Sequence, residues 1–304
     1  MQTLIQLLRP KHWFKNVFVL FPLLFSGALW TPNVWTSTAL CVFATACFCS
    51  WASAVYILND ISDIESDRQH PRKCNRPIAS GKVAIPTAIT ICVLLVLVPF
   101  AALAGLYFFR EEFQNPVFYF TIVGAAYLIN SILYDLLFRK QVLLDVFSIA
   151  FGFVLRILGG CAILLAVPSQ WILICGWSMS LFMGFGKRRM ECSLTGDEEE
   201  YRSSLQVYSP QFLDVILGVT ATCSLLSYML YTVSPDTIAF HNTSCLIYTV
   251  PFVFYGIFRY LIDSMSNKYD GPVEAITSDK PLIFCVLLWL ATIIGIFIYV
   301  KLIL

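Results

Sequence analysis

Apolar residues run in long stretches along this chain, and short polar segments separate them. A helix needs about 20 predominantly apolar residues to cross the hydrocarbon core of a bilayer. Nine stretches approach or exceed that length, and they lie near 14–30, 34–58, 84–108, 116–134, 142–167, 169–186, 212–233, 243–263 and 281–304. The pattern predicts an all-α, polytopic membrane protein with nine transmembrane helices, in which residues 1–304 form a single integral membrane domain.

The composition supports a membrane location. Hydrophobic residues make up 58% of the 304 residues and charged residues 13%, whereas soluble domains have about 25% charged residues. The eleven cysteines form no paired CxxC motif and no zinc-like spacing with histidine, so we expect them to be small buried hydrophobes. We expect no nucleic acid partner for this chain.

The distribution of Lys and Arg predicts the orientation, because basic residues accumulate in the cytoplasmic loops of membrane proteins. A cytoplasmic N-terminus places the long polar loops 59–82 and 187–211 inside, together with most basic residues, and leaves Arg110 and Lys301 outside. We therefore expect a multi-pass protein of the inner (plasma) membrane, with the N-terminus in the cytoplasm and the C-terminus outside.

Four acids and an amide occur within nine residues at the end of the second apolar stretch. Residues four apart share a helix face, so Asn59, Asp63 and Asp67 form a column of oxygens, with Tyr56 one turn earlier on the same side. Mg²⁺ usually takes one or two carboxylates together with substrate phosphates and water. We expect Asn59 and Asp63 to bind Mg²⁺, and the catalytic acids to be Asp63, Asp60 and Asp67.

A basic segment, RQHPRKCNRPIASG at residues 68–81, follows the acids directly. Cations this close to a carboxylate column suit a bound diphosphate, with Lys73 or Arg76 neutralising charge that the metal leaves. The alternative is a solvated loop whose basic residues only satisfy the orientation rule, but that alternative does not account for the regularly spaced acids.

The pattern NDxxDxxxD followed by DRxHPxKxxRPIASG resembles the UbiA superfamily of intramembrane prenyltransferases. Three further motifs, RPKHWFKN at 9–16, GKRRME at 186–191 and GPVE at 271–274, are similar to its decaprenyl-phosphate phosphoribosyltransferase branch. The resemblance spans nearly the whole chain. It implies a nine-helix UbiA-like bundle with cytoplasmic cap loops, Mg²⁺ as the cofactor, and contact between Lys15 and a substrate phosphate.

The chain departs from the aromatic prenyltransferases of that superfamily after the sixth apolar stretch. Those enzymes carry a second Asp-rich motif there, whereas this chain has the cations Lys187, Arg188 and Arg189. Added positive charge suits a donor with two anionic ends, such as 5-phosphoribosyl 1-pyrophosphate, and a lipid phosphate acceptor. The alternative is that these cations only anchor a helix end to anionic lipid.

Arg156 lies well inside an apolar stretch, where a charged side chain is costly unless it is paired or faces a polar cavity. Asp145 precedes it by eleven residues on nearly the same helix face, and Lys140 stands near the predicted membrane edge. This stripe could line a cavity entered from the cytoplasm. Structural pairing of Arg156 is the alternative.

Together these features predict an Mg²⁺-dependent transferase that moves phosphoribose from 5-phosphoribosyl 1-pyrophosphate to a polyprenyl (decaprenyl) phosphate and releases pyrophosphate. Tyr201 and Tyr208 could cap its site. One alternative is an aromatic prenyltransferase that uses a polyprenyl diphosphate; another is a membrane transporter, but no inverted repeat is visible. The predicted substrate-binding residues are Lys15, Tyr56, Lys73, Arg76, Lys140, Arg156, Lys187 and Arg188.

Overall fold

A computed structural model of the chain describes residues 2–70, 73–194, 208–266, 269 and 272–303. Within these ranges every regular element is a helix and there is no strand, which confirms the predicted all-α class. The α-helices are α1 Gln2–Leu8, α2 Phe21–Phe25, α3 Val34–Ser62, α4 Ile64–Gln69, α5 Ile85–Phe109, α6 Gln114–Leu136, α7 Leu144–Leu164, α8 Gln170–Leu194, α9 Pro210–Val233, α10 Pro235–His241, α11 Val250–Met265, α12 Pro272–Ser278 and α13 Lys280–Ile303.

Seven helices in this part of the chain are long and apolar enough to cross a membrane. They span Val34–Ser62, Ile85–Phe109, Glu111–Leu136, Leu144–Leu164, Pro210–Val233, Cys245–Met265 and Lys280–Leu302. On α5, side chains such as Leu97 and Val98 are more than half exposed. Because exposed aliphatic side chains are stable in lipid and not in water, these surfaces identify the faces that the bilayer covers.

The first and sixth predicted spans differ from the other seven. The stretch 14–30 is no single α-helix: a 3-10 helix, Pro10–Leu20, precedes the five-residue α2, and Gly27 then adopts a left-handed backbone with φ of 72°. The sixth stretch is α8, which has 25 residues but carries Lys187, Arg188 and other charged residues in its second half. The nine-helix count therefore stays a prediction.

The chain divides into two compact units, Met1–Leu136 with Gly152–Pro168 and Leu137–Phe151 with Ser169–Leu304. The boundary falls within α7, which contributes its first residues to the second unit and the rest to the first.

In the first unit, α3 packs against α5, α6 and the 3-10 helix Pro10–Leu20. Large aromatic side chains fill its core: the ring centroids of Phe48 and Trp51 are 5.5 Å apart, and those of Phe48 and Phe120 are 5.8 Å apart. Gly124 makes this packing possible, because a Cβ atom there would lie 2.4 Å from the Trp51 ring. Close helix contacts at small residues are typical of membrane proteins.

In the second unit, α8 packs against α9 and α11, and α11 packs against α13. Buried aromatic and aliphatic residues, including Phe182, Phe185 and Tyr260, form its core. The Tyr228 hydroxyl lies 2.6 Å from the Thr249 hydroxyl and accepts a hydrogen bond of 2.9 Å from the Trp289 indole nitrogen. These hydrogen bonds satisfy polar groups that would otherwise be unpaired in an apolar interior.

Candidate active site

The acidic segment lies where α3 ends and α4 begins. Asp63 caps the junction, yet backbone hydrogen bonds continue across it: the Asp63 N–H donates to the Asn59 carbonyl (2.9 Å) and the Asp67 N–H to the Asp63 carbonyl (2.8 Å). The hydrogen-bond pattern of a helix thus continues across the junction, while the common face of Asn59, Asp63 and Asp67 stays a prediction. Asn59 and Asp63 are half-buried, whereas Asp60 and Asp67 are each only 2% exposed.

Two arginines neutralise the buried acids. The Arg76 Nη1 atom lies 2.6 Å from Asp67 Oδ2 and 3.1 Å from Asp60 Oδ1, and Arg9 also pairs with Asp60 Oδ1. One guanidinium group therefore joins Asp60 to Asp67, although the helical pattern grouped Asp67 with Asn59 and Asp63. Buried charges are stable only when they are paired in this way.

Arg9 is a residue that the sequence reasoning did not select for the site. Its backbone is left-handed, with φ of 52°, and its guanidinium carbon lies 5.2 Å from the centre of the Tyr56 ring. The buried Ser53 hydroxyl fixes this turn, since it donates to the Leu8 carbonyl (2.8 Å) and accepts from the Trp13 indole nitrogen (3.0 Å). The signal in the sequence was the RPKHWFKN motif, which begins at Arg9 and ends one residue after Lys15.

The donor set of this segment fits a magnesium ion that is shared with a substrate. Within the described residues, no three His, Cys, Asp or Glu side chains come together as a metal cluster. Asn59 and Asp63 offer an amide and a carboxylate oxygen one turn apart on a half-buried surface. Mg²⁺ needs few protein ligands where phosphate oxygens and water complete its coordination, so the chemistry of this pair fits such an ion.

Arg156 is 7% exposed, and its described partners are all neutral. Its Nε donates to the Asn16 side-chain oxygen (2.7 Å), its Nη1 to the Gly152 carbonyl (2.8 Å) and its Nη2 to the Tyr127 hydroxyl (3.1 Å). The Tyr127 ring lies 4.7 Å from its guanidinium carbon, a cation–π contact. Lys15, next to the fully buried Asn16, is half-buried.

Asp145 belongs to a buried network in the second unit. Its Oδ2 accepts a 2.7 Å hydrogen bond from Arg188 Nε, and both side chains are 0% exposed. Its Oδ1 accepts from the Tyr208 hydroxyl at 2.9 Å, and the same hydroxyl accepts from the Leu143 N–H at 2.7 Å. Burial raises the pKa of Tyr208 above its ordinary value, so this hydroxyl keeps its proton at neutral pH.

The remaining predicted residues lie in polar segments. Lys73 begins the short 3-10 helix Lys73–Asn75 and is half-exposed, and its backbone N–H donates to His70 Nδ1 at 3.3 Å. Lys140 is exposed at the end of the 3-10 helix Phe138–Lys140. Lys187, on α8, lies 3.6 Å from Glu191. Tyr201 lies outside the described residues.

Besides the Arg156 group and the isolated lysines described above, the predicted residues form one group in each unit. In the first unit, the acids lie with Tyr56, Arg76 and the unpredicted Arg9; in the second, Arg188 and Lys187 share the carboxylate of Glu191. Arg188 is wholly enclosed, so its predicted contact with substrate stays a prediction, whereas its ion pair with Asp145 is observed.

Apolar helices with buried charged groups at their ends define an all-α, multi-pass membrane protein. The sequence profile described as "UbiA prenyltransferase family" matches residues 19–274, and the chain belongs to this family. The chain is 33% identical to the decaprenyl-phosphate phosphoribosyltransferase of Corynebacterium glutamicum over 298 residues, which covers 96% of this chain and 85% of that one. It is 32% identical to the protein of the same name from Mycolicibacterium smegmatis, with 95% and 91% covered.

Solved structures have the same fold. The structure of a UbiA homolog from Archaeoglobus fulgidus bound to GPP and Mg²⁺ superimposes with a TM-score of 0.69 at 16% identity, covering 97% of this chain and 99% of that chain. The same homolog bound to DMAPP and Mg²⁺ gives a TM-score of 0.68 at 17% identity, covering 96% and 98%. At these identities the likeness establishes the helical architecture.

Proposed function

We propose that this chain is an Mg²⁺-dependent transferase that moves the 5-phosphoribosyl group from 5-phosphoribosyl 1-pyrophosphate to the phosphate of a polyprenyl, specifically decaprenyl, carrier. The observation that carries the proposal is the similarity to decaprenyl-phosphate phosphoribosyltransferases over 95–96% of the chain. Residues 1–304 act as one integral membrane domain, with the N-terminus and the site at the cytoplasmic face, where a soluble donor has access.

Asn59 and Asp63 hold the metal in this proposal, and Asp60 and Asp67 support the site through Arg9 and Arg76. Bound Mg²⁺ supplies positive charge to the diphosphate of the donor, which makes pyrophosphate a better leaving group. The buried acids hold Arg76 beside the acidic segment through its Nη1 atom, and in this proposal its other guanidinium N–H groups donate to the diphosphate.

The reaction is a substitution at carbon 1 of the ribose. An oxygen of the acceptor phosphate forms a new bond to carbon 1, and the bond from carbon 1 to the diphosphate oxygen breaks with its electron pair leaving on pyrophosphate. The acceptor oxygen is already anionic, so no strong general base is required. In this proposal, the phosphate groups of donor and acceptor receive positive charge from basic side chains. These are Lys15, Lys73, Lys140, Arg156 and Lys187.

The test is transfer of label from ribose-labelled 5-phosphoribosyl 1-pyrophosphate into lipid by the purified protein with decaprenyl phosphate and Mg²⁺. Replacing Asp63 by Asn removes a charged ligand, so we expect the Mg²⁺ concentration for half-maximal activity to rise by about tenfold or more. Glu65→Gln is the matched control, because Glu65 is an exposed acid two residues away, and its Mg²⁺ dependence should match that of the unaltered protein.

Two results would contradict the proposal. One is no transfer with polyprenyl phosphates of any length, together with activity on a polyprenyl diphosphate and an aromatic acid, which would indicate an aromatic prenyltransferase. The other is an unchanged Mg²⁺ requirement in Asp63→Asn, which would remove Asp63 from the metal site while leaving the transfer reaction in place.

A further inference from the structure

The three consecutive cations near the end of α8 are very different in exposure. The side chain of Lys187 is 34% exposed, that of Arg189 is 17% exposed, and that of Arg188 is 0% exposed. Arg189 Nε lies 2.6 Å from Asp214 Oδ1 on α9. Of the three, Lys187 is therefore the cation that a phosphate group reaches most directly.

Arg188 is committed to two carboxylates. Its Nε atom donates to Asp145 Oδ2 at 2.7 Å and its Nη1 atom to Glu191 Oε2 at 2.5 Å. If a phosphate took Arg188 away from Asp145, a fully buried carboxylate would lose its counter-ion, which is among the most costly changes in a protein interior. Direct binding of substrate by Arg188 would thus disrupt the interior around it.

Glu191 connects Arg188 to Lys187. Its Oε2 atom accepts from Arg188, while its Oε1 atom lies 3.6 Å from the Lys187 ammonium nitrogen, one helical turn earlier. Because Glu191 is 23% exposed and Lys187 34% exposed, the network extends from the buried interior at Asp145 to a partly exposed ammonium group.

The buried end of this network is firmly held. Asp145 Oδ1 accepts hydrogen bonds from the Tyr208 hydroxyl (2.9 Å) and from the Val146 N–H (2.8 Å). Tyr208 is 3% exposed and also accepts from the Leu143 N–H. A carboxylate with this many partners holds the Arg188 guanidinium in a fixed position. Because Arg188 also donates to Glu191, the position of the Glu191 carboxylate is restricted as well.

We propose that Arg188 is a positioning residue, which fixes Glu191 so that Glu191 orients Lys187 toward a phosphate group of a substrate. This inference rests on the proposed phosphoribosyl transfer and refines it, because it assigns phosphate contact to Lys187 and an indirect role to Arg188. A flexible lysine that is held in one orientation loses less conformational entropy when it binds, so the constraint improves binding of the phosphate.

A double-mutant cycle between Lys187→Met and Glu191→Gln tests the Glu191–Lys187 contact through which Arg188 would act, in the full-length protein and without a change at buried Arg188. The KM values for 5-phosphoribosyl 1-pyrophosphate and for decaprenyl phosphate are measured separately, together with kcat. We expect Lys187→Met to raise one of the two KM values about tenfold and Glu191→Gln to raise the same one about three- to tenfold. The double variant should be no worse than Lys187→Met, since Glu191 acts through Lys187.

The two KM measurements identify whether the phosphate belongs to the donor or to the lipid. Arg189→Gln combined with Glu191→Gln is the matched control, because the Arg189 ion pair leads to Asp214, and we expect independent, multiplicative effects there. Multiplicative effects of Lys187→Met and Glu191→Gln in a protein that transfers phosphoribose would overturn this inference and leave the proposed function intact. Absence of transfer by the unaltered protein would overturn both.

Discussion

Removing the guanidinium of Arg188 would test whether the buried ion pair with Asp145 holds the second unit together. In Arg188→Met, a carboxylate that is 0% exposed keeps hydrogen bonds from Tyr208 and Val146 but loses its cation at 2.7 Å. Breaking a buried ion pair by removing one partner costs about 3–5 kcal/mol. We therefore expect the free energy of unfolding to fall by that amount.

A second substitution separates the loss of the cation from the loss of packing. Arg188→Met with Asp145→Asn has no unpaired charge, and the Asn side-chain oxygen can still accept from Tyr208 and Val146. We expect this double variant to recover part of the lost stability, because no fully buried charge is then left without its counter-ion. Glu191 is partly exposed, so water can solvate its carboxylate in both variants.

The measurement is reversible unfolding of the purified protein in mixed detergent micelles, followed by circular dichroism as the fraction of denaturing detergent rises. A loss below about 1 kcal/mol in Arg188→Met would show that the pair is not important for stability. A double variant that is less stable than either single variant would refute the argument that an unpaired buried charge causes the loss.

Two further predictions, one of them with a control variant, concern the packing and charge pairing of the first unit. Gly160→Ala would place a Cβ atom 2.1 Å from the Val19 carbonyl oxygen, so we expect a loss of about 2–3 kcal/mol of unfolding free energy in the same assay. Gly105→Ala is the control, because a Cβ atom there meets nothing within 4 Å. Its free energy of unfolding should be unchanged or rise by up to about 1 kcal/mol. Equal losses in the two variants would contradict the close approach at Gly160. Arg76→Met leaves Asp60 and Asp67, each 2% exposed, without the cation they share. We therefore expect the free energy of unfolding to fall by about 2–4 kcal/mol. Unchanged thermal unfolding would refute that pairing.

The helical architecture follows almost entirely from the order of apolar and polar residues. Long apolar stretches must form helices in a bilayer, because no other open-chain structure satisfies the backbone there. The stretch 14–30 is one exception: Pro22 lies in the first turn of α2 and Gly27 has a left-handed backbone, so the segment forms short pieces. Hydropathy does not register such backbone preferences.

The candidate site was only partly predictable. Backbone hydrogen bonds from Asp63 to Asn59 and from Asp67 to Asp63 are present, as local helix geometry predicts, whereas a shared oxygen column of these three residues stays a prediction. The partners of the acids could not be predicted, since Arg9 reaches Asp60 across 51 positions of the chain. No periodicity within one helix carries information about a contact at that separation.

The sequence by itself determined the fold class, the membrane location, the positions of the acidic and basic segments, and the resemblance to the family. Tertiary structure decided which charges neutralise each other: Arg76 joins Asp60 to Asp67, and Arg188 joins Asp145 to Glu191. The physical reason is that helix periodicity assigns a side chain only to a face. Burial and pairing depend on what packs against that face, and long-range contacts between helices set it.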